Sequence, residues 1–203
     1  MRNQWYGDNR DLVKWSAAYT LIEGGARSLL YVPMLTPDEP PLQQHRLSTG
    51  ECLAPSVVAH FRDYEDFARI PWPEGARVDW IPGLMGDRAV YFGRVAEKLR
   101  QLRAEAARPV LLLVDPDTGI EPISGGSRKH VLRSELASLY SALGRSDVLA
   151  VYQHAPRQFD PNWIDEKRVL MAHALSVNPV LIRPLSCLDV ARDVVLLTVE
   201  GAE

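Results

Sequence analysis

Three carboxylates follow an unbroken apolar run in the segment LLLVDPDTGIEP. Asp115, Asp117 and Glu121 stand directly after residues 109–114, which read as a buried strand. In open α/β sheets, ligands bind beyond the carboxyl ends of the strands. Acids so close in sequence repel one another unless a cation or a hydrogen-bond donor lies among them, and they supply hard oxygen ligands for Mg²⁺. A solvated loop rim is the alternative reading, and it has most weight for Asp117 and Glu121.

A second strand end, VYQHAPR at residues 151–157, carries His154. In a parallel sheet this strand is expected to lie near the one that ends at Asp115, and we expect the side chains of His154 and Asp115 to face the same cleft. His154 would orient a substrate, exchange a proton or cap the strand.

The basic segment SGGSRKHV, residues 124–131, precedes a predicted helix. It suits either an anion site at the helix N-terminus or a mobile surface loop.

The segment NQWYGDNRDLVKW crowds polar residues around the start of another helix. Capping by Asp8 or Asn9 is the favoured reading, and a pocket lining is the alternative.

Hydrophobic periodicity supplies the elements that position these groups. Helices are expected at 11–23, 56–69, 91–107, 131–143 and 165–175, and strands at 28–35, 77–81, 109–115, 147–154, 179–185 and 193–200. The alternation predicts a single α/β domain over 1–203 with a mostly parallel sheet and helices on both faces. The last two strands are expected to form a hairpin that makes one edge of the sheet antiparallel.

The bulk properties favour a cytoplasmic protein. The net charge of −3 argues against a generally basic nucleic-acid binder, although a local basic stripe is compatible with it. The N-terminus has no signal-peptide pattern, and no run is long enough to span a membrane. Cys52 and Cys187 have no CxxC spacing and are expected to be reduced thiols.

Four of these segments together resemble known proteins. The opening NQWYGDNRDLVKW, then MLTPD, DPDTGIE and VYQH followed by an arginine are similar to a group of bacterial and phage proteins. More remotely, the chain is similar to the ribosomal RNA adenine-N6 methyltransferases and the three-Cys-motif partner proteins. This resemblance implies a Rossmann-like, methyltransferase-like fold.

The resemblance also implies a cofactor, S-adenosylmethionine. Its contacts would be Gly7, Asp8, Asp11 and Lys14, with Lys14 on the cofactor carboxylate, and the turn from Met34 to Thr36. The methyltransferase motif Asp-Pro-Pro-Tyr corresponds to Asp115, Pro116, Asp117 and Thr118 here. Two features depart from the pattern: Thr118 cannot stack on a base, and residues 32–37, VPMLTP, replace the glycine-rich turn.

Three functions follow as hypotheses. The first is an S-adenosylmethionine-dependent methyltransferase acting on an amine in nucleic acid, with Asp115, Pro116, Asp117 and His154 as catalytic candidates. The second is a Mg²⁺-dependent nuclease or phosphohydrolase that uses Asp115, Asp117 and Glu121. There, Lys129 or His154 would stabilise a phosphate. The third is a catalytically silent Rossmann-like accessory protein.

Overall fold

A computed structural model describes residues 8–36, 52–63, 67–105, 108–156 and 160–202. Its helices are α1 Asn9–Glu23, α2 Pro55–Asp63, α3 Arg88–Ala104, α4 Arg133–Ser141 and α5 Trp163–Leu175, with 3₁₀ turns at Phe67–Arg69 and Pro179–Leu181. Its strands are β1 Ser28–Pro33, β2 Arg77–Trp80, β3 Val110–Asp115, β4 Gly119–Ile120, β5 His130–Val131, β6 Val148–His154, β7 Arg183–Leu185 and β8 Val194–Glu200. Each predicted helix and strand has a counterpart, but two of them are shorter than expected. Helix α2 ends at Asp63 and not at residue 69, and the strand predicted at 179–185 is a 3₁₀ turn followed by the three-residue strand β7.

Within the described residues, six strands form a sheet in the order β2-β1-β3-β6-β8-β7. Strands β2, β1, β3 and β6 pair in parallel, whereas β8 is antiparallel to both β6 and β7. The predicted α/β architecture with a mostly parallel sheet and a C-terminal hairpin is therefore confirmed.

The last two strands make one edge of the sheet antiparallel, as expected: β7 forms the edge, and β8 lies beside it inside the sheet. Six of the seven residues of β8 are buried, so this strand needs a neighbour on both sides. Strand β7 has only three residues, with Arg183 and Pro184 exposed. A short strand that contains proline suits an edge position.

The two faces of the sheet carry separate apolar layers, because side chains alternate along each strand. Leu112 and Val114 of β3 pack with residues of α3, α4 and α5. Leu111 and Leu113 of the same strand pack with residues of α1 and α2 on the other face. The prediction of helices on both faces is confirmed.

Cys52 and Cys187 form a disulfide, with their Cα atoms 5.9 Å apart. The expectation of two reduced thiols is therefore wrong. The fold places them together, although 135 residues separate them in sequence. No spacing pattern in the sequence predicts a pair so far apart. Because the cysteines are paired, they no longer support the expectation of a reducing compartment.

None of the helices in the described part of the chain has the length and apolar character needed to cross a membrane.

Candidate functional site

The carboxyl ends of β1, β3 and β6 meet at one edge of the sheet. Pro33 pairs with Asp115, and Val114 pairs with Val151, which places Asp115 of β3 next to Tyr152 of β6. The predicted adjacency of the segments ending at Asp115 and at His154 is thereby confirmed. Side-chain alternation directs Asp115 and Tyr152 to the face that α1 covers.

Asp115 is held at this edge by two donors on the same carboxylate oxygen. The Lys14 Nζ lies 2.8 Å from Asp115 Oδ2, and the Tyr31 hydroxyl donates to the same atom at 2.6 Å. Asp115 is only 1% exposed. The other oxygen, Oδ1, receives neither of these two bonds.

Lys14 bridges two acids from inside the protein. It is 1% exposed, and its Nζ lies 2.6 Å from Asp11 Oδ1 as well as near Asp115. The ammonium also lies over the rings of Trp15, Tyr31 and Tyr152, at 4.7, 5.5 and 5.3 Å from their centroids. Carboxylates and aromatic faces are the environment that a buried cation requires.

Burial and the neighbouring charges shift the pKa values of Asp115, Asp11 and Lys14. Burial works to raise the pKa of the Asp115 carboxyl, but Lys14 and the hydrogen bonds from Lys14 and Tyr31 outweigh it and hold that pKa below its usual range. Burial raises the pKa of Asp11 to about 6 despite Lys14. For Lys14, the two carboxylates outweigh burial and raise its pKa.

Tyr152 and His154 extend the site along β6. The Tyr152 hydroxyl is buried and has no hydrogen-bond partner among the described residues. The two rings meet edge to face, with their centroids 4.9 Å apart. Burial lowers the pKa of His154, so its ring is neutral at neutral pH and able to accept or donate a hydrogen bond.

Gln153 fixes the loop that follows Asp115, and sequence reasoning missed this role. Its Oε1 accepts from the Ile120 backbone N–H at 2.8 Å, and its Nε2 donates to the His154 carbonyl at 2.7 Å. Gly119 has φ +106° and packs against the Gln153 side chain. Pro116 is buried in the same loop. A buried glutamine at the end of an apolar strand was the available signal.

Asp117 and Glu121 each face a separate cation instead of Asp115. Asp117 lies 3.5 Å from the Lys129 Nζ, and Glu121 lies 3.7 Å from the Arg133 Nε and accepts from the Arg133 backbone N–H at 3.2 Å. Across the described residues, no group of three acidic, histidine or cysteine side chains could hold a metal ion. The acid cluster therefore gives no support to the Mg²⁺-dependent hypothesis.

The basic segment 124–131 forms part of a compact loop closed by the pairing of β4 and β5. The His130 Nδ1 accepts from the Ser127 backbone N–H at 3.0 Å, and Arg128 donates to the Gly86 carbonyl at 3.2 Å. At the start of α4, Glu121 already accepts from the Arg133 N–H, and Glu135 accepts from the Leu132 N–H at 2.8 Å. Side chains of the protein itself thus occupy the expected anion position.

The residues expected to contact a cofactor do not all lie in one pocket: they include a helix cap, a core residue and a half-buried residue. Asp8 caps α1 by accepting from the Asp11 N–H at 2.9 Å, as the capping interpretation predicted. Met34 is 1% exposed and packs in the apolar core, whereas Thr36 is half-buried. Gly7 and Arg157 lie outside the described residues.

The fold and this cluster define an α/β protein with a buried acid–lysine–tyrosine site at the carboxyl edge of its parallel strands. Comparison of the chain with family models, with curated proteins and with solved structures finds no match in any of the three.

Proposed function

We propose that the protein is an S-adenosylmethionine-dependent methyltransferase that acts on an exocyclic amine, such as that of a nucleic-acid base. One observation carries the proposal: Asp115 is kept ionised at the carboxyl end of β3, with Lys14 and Tyr31 both on Oδ2. The methyltransferase resemblance assigns amine binding to this position of the chain.

Asp115 suits an amine that gains positive charge during the reaction. An amine N–H needs an acceptor, and Oδ1 is the oxygen that Lys14 and Tyr31 do not bond. The negative charge of the Asp115 carboxylate favours a nearby positive charge, most strongly where little water screens it. The pKa of Asp115 is lowered, so the carboxylate stays an acceptor at neutral pH.

The cofactor would supply the methyl group as an electrophile. Lys14 does not suit its carboxylate, because its buried ammonium already contacts Asp11 and Asp115. A cavity of about 340 Å³ beside the first turn of α1 fits the charged end of such a molecule better. Asp8 and Arg10 line this cavity, and Asp8 is one of the residues that were expected to contact the cofactor.

The test compares two isosteric substitutions, Asp115→Asn and Asp117→Asn. Both proteins are incubated with labelled S-adenosylmethionine and unmethylated RNA or DNA, and calorimetry measures S-adenosylhomocysteine binding. Asp115→Asn is expected to lower methyl transfer by about 100-fold or more, as for the loss of one preorganised polar group, with product binding retained. Asp117 lies 3.5 Å from the half-exposed Lys129, so methyl transfer by Asp117→Asn should stay within about threefold of the wild type.

A catalytically silent accessory protein is the second candidate, favoured by the burial of Asp115 and Lys14, each 1% exposed. In that case the contacts among Lys14, Tyr31 and Asp115 only hold α1, β1 and β3 together. No binding heat at millimolar S-adenosylmethionine or S-adenosylhomocysteine would overturn the methyltransferase proposal and leave the silent protein.

A further inference from the structure

A cavity of about 340 Å³ lies between the first turn of α1 and the segment that leads into β8. Its lining comprises Asp8, Asn9, Arg10, Val190, Ala191, Arg192 and Asp193. It opens at the same edge of the sheet as the site of Asp115. Strand β8 runs antiparallel to β6, and its first residue, Val194, pairs with His154. The Ala155 N–H donates to the Asp193 carbonyl at 2.8 Å and fixes this junction.

The cavity contains two charges of each sign. Arg10 donates from Nε and Nη2 to Asp193 Oδ2, at 2.9 and 2.6 Å, and its Nη1 lies 3.4 Å from Asp8 Oδ2. Arg192 is exposed, and its side chain takes no part in any ion pair of the described residues. Two arginines and two aspartates sum to zero. This balance suits a zwitterion better than a phosphate or a metal ion.

The geometry leaves a binding place for each charge of such a ligand. Arg192 offers a planar guanidinium, which matches a carboxylate through two parallel hydrogen bonds. Asp193 receives both Arg10 bonds on Oδ2, and an incoming ammonium would bind Oδ1, which neither of these two bonds uses. Val190 and Ala191 are buried and supply an apolar wall. The volume lies within the range of small-molecule sites.

We propose that this cavity binds an α-amino acid group, with its carboxylate on Arg192 and its ammonium on Asp193. On the proposed function, which this assignment extends, the group is the amino acid end of S-adenosylmethionine. Arg192 and Asp193 then take the role that the resemblance gave to Lys14.

Two ligands that differ in this group and in one methylene test the assignment. S-adenosylhomocysteine carries the amino acid group, and 5′-methylthioadenosine lacks it. Calorimetry compares the wild type with Arg192→Gln and with Arg183→Gln, an exposed arginine of β7 outside the cavity. Arg192→Gln is expected to weaken S-adenosylhomocysteine binding about tenfold or more and to leave 5′-methylthioadenosine unchanged. Arg183→Gln should affect neither ligand.

The outcomes separate this assignment from the proposed function. Equal weakening of both ligands by Arg192→Gln, or weakening of neither, would overturn the assignment while the methyltransferase proposal stands. If neither ligand binds the wild type, the methyltransferase proposal fails and free methionine becomes the probe. Methionine binding that Arg192→Gln weakens would support the cavity, and no methionine binding would overturn it.

Discussion

Lys14 is a buried lysine between two carboxylates, and burying these charges opposes folding unless they contact one another closely. Removing Lys14, Asp11 and Asp115 from water costs several kcal/mol per ion, and only good mutual geometry recovers this cost. The two short contacts of Lys14 and the Tyr31 hydrogen bond supply that geometry. Since apolar residues of similar volume often stabilise a protein as well or better, the cluster is better explained by a functional role than by stability.

The pH dependence of stability reports the charge on Asp11. Its folded-state pKa of about 6 lies above the ordinary value of 3.8. A group with a raised pKa contributes stability that is present below its unfolded pKa and is lost as the pH rises through its folded pKa. When the pH falls from 7 to 5, the free energy of unfolding of the wild type should therefore rise by about 1 kcal/mol relative to that of Asp11→Asn.

Urea unfolding of both proteins at pH 5, 6 and 7 measures this difference. The comparison is needed because His154 acts in the opposite sense. Its lowered pKa means that stability is lost as the pH falls through its unfolded value. This effect is common to both proteins and cancels. Parallel stability profiles for the two proteins would show that Asp11 does not titrate in this window.

At the scale of elements, the sequence predicts what hydrophobic runs encode and misses what distant contacts decide. The central strands β3 and β6 are buried at nearly every position, so their apolar runs identify them directly. Strands β4 and β5 have two residues each, which is too few for any periodicity. The bond between Lys14 and Asp115 joins residues 101 positions apart, and only the packing of α1 on the sheet creates it.

The loop after β3 depends on Gly119, because its backbone conformation and its packing both exclude a side chain. At φ +106°, a Cβ would be strained and would collide with the Gln153 amide. Gly125 has a similar φ of +99°, but nothing lies within 4 Å of the position of its Cβ. Gly119→Ala should therefore destabilise the protein by about 1–3 kcal/mol more than Gly125→Ala.

Urea unfolding of the two alanine variants measures this difference. Because both share the strained φ, their difference isolates the contact with Gln153. Equal losses for the two variants would mean that Gln153 moves aside and does not fix the loop.

At the scale of the whole molecule, the disulfide Cys52–Cys187 joins an early and a late segment of the chain on the face of the sheet that α1 covers. The disulfide connects the segment before α2 to the segment between β7 and β8, which continues into the cavity lining at residues 190–193. Cys187 is buried in the same apolar layer as residues of α1. The link therefore holds one wall of the proposed amino acid site to the body of the protein.

Loss of this disulfide should lower the free energy of unfolding by about 2–4 kcal/mol, because the link limits a long loop of the unfolded chain. Its two cysteines are 135 residues apart. Unfolding in urea with and without a reducing agent measures the effect in the wild type. The double variant Cys52→Ser/Cys187→Ala should match the reduced wild type and be insensitive to the reducing agent. A wild type whose unfolding does not respond to reduction would show that the two thiols are not paired in solution.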